Sequence, residues 1–109
     1  MTEQEGLEIN IEEARKVIAR RDSLVKLRGN KEFKEVIEDS YFKEEATRLV
    51  MAKGAGLKPE QEDNIDKMMY GIGALVQYLD NILRMGDEME QVLREDEETL
   101  SDLANEGLV

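Results

Sequence analysis

Acid–base or metal chemistry in this sequence would fall to carboxylates. Glu44 with Glu45, and Asp63 with Asp66, are close enough in the chain to share a divalent ion or a proton. Such a site needs further donors, and the chain has no His, no Asx-rich loop and no EF-hand spacing. With neither Cys nor His there is no thiol or imidazole nucleophile, no His general base and no Cys/His zinc site. Gly71-Ile72-Gly73-Ala74 resembles a nucleotide loop in composition alone. No strand signal precedes it and no Lys-Ser/Thr follows, so the glycines read as points of close helix approach. Gly86 reads the same way, or as a kink. The expectation is a protein that is not an enzyme, with no cofactor and no bound metal.

The elements that carry these residues are helices. From Ile65 to Leu103 a seven-residue register is unbroken, with Ile65, Ile72, Leu79, Gly86, Leu93 and Leu100 at one seam position. Met68, Leu75, Ile82, Met89, Asp96 and Leu103 occupy the other, so only Gly86 and Asp96 interrupt an apolar seam. Pro59 suits the first position of this helix and Glu60, Glu62 and Asp63 suit its first turn, which predicts one helix over about 59–104. Asn10 with Glu13 reads as a capping box opening a helix over about 10–27, leaving residues 1–9 as a flexible leader. Gly29-Asn30 reads as a stop and a new cap, and Phe33, Val36, Ile37 and Tyr41 begin a second stripe. Phe42, Ala46, Leu49 and Val50 continue that stripe with a shift in phase, so the helix over about 31–53 is expected to kink or break near Asp39-Ser40. The predicted fold is all-α, a single helical domain over 10–109 with two shorter helices packed on one long C-terminal heptad-patterned helix.

The apolar stripe of the long helix is widest between Met69 and Val92 and narrows beyond Leu93. Its last turns are therefore expected to project or to meet another chain, with Met85, Met89, Leu93, Leu100 and Leu103 as contact residues and Met adapting to irregular partners. Charge is uneven. Eight basic residues lie between Arg15 and Lys34 against Asp22 and Glu32, and nine acidic residues lie between Asp87 and Glu106 against Arg94. Helix 1 beside the long helix would use these charges to steady packing. Alternatively, the acidic end of one chain meets the basic segment of another, or Glu95, Glu97 and Glu98 present carboxylates as a mimic of DNA phosphates. The formal net charge of -11 and the lack of aromatic residues among the basic ones argue against direct nucleic-acid binding. No apolar run is long enough for a bilayer, and the first residues carry no signal-peptide pattern, so neither a membrane partner nor secretion is expected.

The stretch Asn30-x-x-Phe33, Ile37, Tyr41-Phe42-x-x-Glu45-Ala46-x-Arg48-Leu49-Val50, with Ile72-Gly73-Ala74-Leu75 and Gln77-Tyr78-Leu79, resembles a group of small acidic helical proteins of tailed bacteriophages. Members of that group are often encoded among virion structural genes. The resemblance spans roughly residues 28–100 and departs from the group in the Gly54-Ala55-Gly56 connection. It implies a non-enzymatic virion structural or assembly protein, a homo-oligomer or a partner of other phage proteins, found in the host cytoplasm or the virion. The alternative expectation is an acidic host-directed inhibitor that occupies a basic site on a host protein.

Overall fold

A computed structural model describes residues 2–107, and all the described secondary structure is helical. Helix α1 runs Glu3–Arg28, α2 spans residues 31–53, and α3 runs Pro59–Asn105, about 70 Å at 1.5 Å per residue. The long C-terminal helix packs against the shorter ones, as its heptad seam requires. Its seam positions are buried or half-buried from Ile65 to Leu103 except Met68, and the added inward row is Met69, Val76, Leu83 and Glu90. The opposite flank expected to widen the stripe is more open, for Tyr78 and Met85 are exposed and only Val92 is half-buried.

Each boundary has a local cause, and two differ from expectation. Helix α1 opens at Glu3, so residues 3–9 are its first two turns and Asn10 lies in its interior. The capping box is Thr2 with Glu5: the Glu5 N–H donates to Thr2 Oγ1 at 3.1 Å and the Thr2 N–H donates to Glu5 Oε2 at 3.4 Å. Asn10-x-x-Glu13 has the same residue types, but a cap forms only where the preceding chain leaves the helix, and Gly6 and Leu7 are half-buried helical residues. Helix α2 begins as expected, with the Phe33 N–H donating to Asn30 Oδ1 at 2.8 Å.

Helix α2 does not break at Asp39-Ser40. It is α-helical over Lys31–Phe33, π-helical over Lys34–Glu45 and α-helical again over Ala46–Lys53. The i→i+5 bonding of π turns places more residues in each turn than an α-helix does. Inward residues therefore step from Ile37 to Tyr41-Phe42 to Glu45-Ala46 without a break, and the phase shift in the sequence is taken up by winding. Gly56, at φ 73, turns the chain in the left-handed region that other residues avoid. The Lys58 N–H then donates to Gln61 Oε1 at 3.2 Å and α3 starts at Pro59.

The chain divides into two compact units, one of Met1–Val25 with Asn81–Val109 and one of Lys26–Asp80. In the first, Arg15 meets Glu97 and Arg21 meets Asp87 and Glu90, so the two helices run antiparallel around Ile11, Ala14 and Leu24. In the second, α2 and the opening half of α3 form an antiparallel pair, tied near its turn by Lys53 Nζ to Asp66 Oδ1 at 2.6 Å and cored by Leu49 and Ile72.

Candidate interaction surfaces

Arg21 organises the first unit. It sits on the apolar face of α1 with its side chain 13 % exposed, because Gly86 on α3 leaves room for its stem. A Cβ at Gly86 would lie 2.3 Å from Arg21 Cβ and 2.6 Å from its Cδ, closer than atoms can pack. The guanidinium emerges among three carboxylates: Nη1 donates to Asp87 Oδ1 at 2.8 Å, and Nη2 to Glu90 Oε1 and Asp22 Oδ1, each at 2.9 Å. These bonds, Glu90's first and then those of Asp87 and Asp22, hold Arg21 protonated well above its ordinary value. Arg21 in turn holds the Glu90 carboxyl below the usual carboxylate range. A polar head with a buried stem thus fixes the register of two helices.

The sequence-expected contact residues fall in this unit. Met89, Leu93, Leu100 and Leu103 are half-buried on the seam, and Met85 is exposed beside it. Leu100 lines a groove of about 660 Å³ with Ile11, Glu12, Arg15 and Ala104. The last turns of α3 were expected to lack a cover inside the chain. They have one, because α1 starts at Glu3 and supplies two turns that a leader over residues 1–9 would not. Glu97 is drawn into an ion pair with Arg15 Nη2 at 2.9 Å, whereas Glu95 and Glu98 remain exposed with no basic partner among the described residues. Asp96, the seam's charged interruption, keeps one buried oxygen, Oδ2, without a hydrogen-bond partner.

The second unit is open. Val36, Ile37, Ser40, Tyr41, Glu45 and Leu75 line a groove of about 570 Å³ along the π-helical turns. Val36, Val50, Met51, Met68, Tyr70 and Tyr78 are exposed, Tyr70 at 79 % and Met51 at 73 %. Only Leu49 and Ile72 are buried hydrophobics in this unit. The sequence does not mark this surface, because Val36, Val50 and Met68 belong to apolar stripes that read as core and Met51 and Tyr70 belong to none. The available signal was Tyr70, which lies off the heptad seam.

Three of the four paired carboxylates have ordinary partners. Glu45 meets Arg48, which lowers its carboxyl below the usual range; Asp63 meets Lys67 at 2.9 Å; and Asp66 meets Lys53, whose ammonium is raised in consequence. No group of three or more His, Cys, Asp or Glu side chains is placed to hold a metal ion among the described residues. No helix among them is long and apolar enough to cross a membrane. Comparison of the chain with protein-family models, with curated proteins and with solved structures finds no match.

Proposed function

We propose that the chain is a non-enzymatic structural or assembly protein of a phage particle that works through helix–helix contacts with itself or with other particle proteins. The observation that carries the helix-contact part is the second unit, where six large apolar residues are exposed on a pair of helices with two buried hydrophobics. Exposed apolar area on a polar chain is favourable to cover, at roughly 25 cal/mol per Å² removed from water. The phage part rests on the resemblance of residues 28–100 to small acidic phage proteins.

The exposed carboxylates Glu95, Glu98 and Asp102 favour the second reading, an acidic inhibitor that fills a basic site on a host protein. That surface is thinner than the sequence suggests, because Asp87, Glu90 and Glu97 are occupied by Arg21 and Arg15. The two readings separate by mutation. Met51→Asp with Tyr70→Asp is expected to abolish association while circular dichroism stays unchanged, and charge reversal at Glu95 and Glu98 is expected to leave association intact. Association that survives the first pair would count against the structural reading and favour the inhibitor, for which charge reversal leaves the oligomeric state unchanged.

A further inference from the structure

The exposed face of α3 in the second unit carries Lys67, Tyr70, Gly73, Ala74, Gln77 and Asp80, all outside the seam and all exposed. Glycine in a helix interior is destabilising relative to alanine. For two of the glycines in α3 a neighbour accounts for it: Gly71 faces the Tyr41 hydroxyl at 3.7 Å, and Gly86 faces Arg21. Gly73 faces nothing within 4 Å. Its neighbours on the face are one small residue, one amide and an exposed tyrosine, so four turns of a highly charged chain present a neutral strip with a charge at each end.

The strip is complementary to itself in reverse. With a two-fold axis between Gly73 and Ala74, an antiparallel second copy sets Gly73 level with Ala74, Tyr70 with Gln77, and Lys67 with Asp80. Parallel pairing in register would instead set Lys67 against Lys67 and Asp80 against Asp80. Asp80 has no ion-pair or hydrogen-bond partner among the described residues, and Lys67 has only an exposed pair with Asp63 four residues away, which is worth little. We infer that this face of α3 docks on the same face of a second copy of the chain, antiparallel, with Gly73 and Ala74 at the point where the two backbones come closest. The inference rests on the helix-contact reading above and names one of its surfaces. Helices pack at axis separations of 8–10 Å, and small residues at the crossing reach the short end of that range while Tyr70 covers the flank.

The chain has no cysteine, so single substitutions report cleanly. In the full-length protein under mild oxidation, Ala74→Cys is expected to form a disulfide dimer, because residues 74 of the two copies lie within disulfide reach across the axis. Tyr70→Cys alone is expected to stay monomeric on a non-reducing gel, and a mixture of Tyr70→Cys with Gln77→Cys is expected to give the mixed dimer. Light scattering supplies the independent readout. Lys67→Asp is expected to weaken association at least tenfold, and Lys67→Asp with Asp80→Lys to restore it. An oligomer that does not cross-link at residue 74 overturns the inference and leaves the helix-contact reading standing. Cross-linking of Tyr70→Cys with itself, or failure of the double charge swap to restore mass, also overturns it. A wild-type chain that is monomeric at every concentration overturns both.

Discussion

Gly86 and Gly73 lie on one helix, thirteen residues apart in sequence, and their surroundings are opposite. At Gly86 the space a side chain would take is filled by the stem of Arg21, whose head closes on Asp87 and Glu90. At Gly73 that space is empty. The first unit fills the space at Gly86 internally, using α1 as cover and an arginine fork as a latch. The second leaves Tyr70, Tyr78, Met51 and Val50 in water, with a glycine whose cost nothing in the chain offsets. The glycine of one region is accounted for by a neighbour and that of the other is not, which is why the proposed contact surface is placed in the second.

The sharpest way to break this contrast is the same substitution at both glycines. Gly86→Ala gains about 1 kcal/mol of helix propensity. It must also push α1 away from α3, and overpacking of this kind typically costs about 1–3 kcal/mol. A net fall in the urea midpoint is expected. Gly73→Ala, measured in dilute solution, is expected to raise that midpoint by up to about 1 kcal/mol. Equal effects at the two positions would erase the distinction between them.

A smaller effect is expected at Asp96. Its unpartnered Oδ2 sits in a seam where leucine would pack, and a buried acceptor without a partner costs about 1–3 kcal/mol. As the residue is half-exposed, Asp96→Leu is expected to stabilise the first unit by about 1 kcal/mol, at the low end of that range. A loss of stability would mean that Asp96 has a role in register that outweighs its cost.

The smallest effect tests the latch by pH. Arg21 depresses the Glu90 carboxyl, so Glu90 contributes stability that is present above its unfolded-state value and is lost as pH falls through its lower folded-state value. Glu90→Gln is therefore expected to lower the melting temperature at neutral pH. The gap to wild type should close as the solution is acidified through the carboxylate range. A gap that persists in acid would assign the effect to packing.

The sequence made the long helix and the all-α fold legible, because a heptad pattern kept over many turns admits no other local structure. Three features were not legible. The cap at Thr2-Glu5 and the decoy at Asn10-Glu13 use the same residue types, and the choice between them depends on the burial of Gly6 and Leu7. The π-helical turns of α2 wrote a phase shift into the sequence that a kink would write equally well. The cover of the last turns of α3 was not legible for the most physical reason. An apolar stripe shows that a face is to be buried, and which helix buries it depends on where α1 starts.

The most direct measurement is the mass of the wild-type chain by light scattering, at low and at high salt. A mass above 12.5 kDa under both conditions is the predicted result, since apolar contacts survive where ion pairs are screened. A mass of 12.5 kDa throughout would contradict self-association through the second unit.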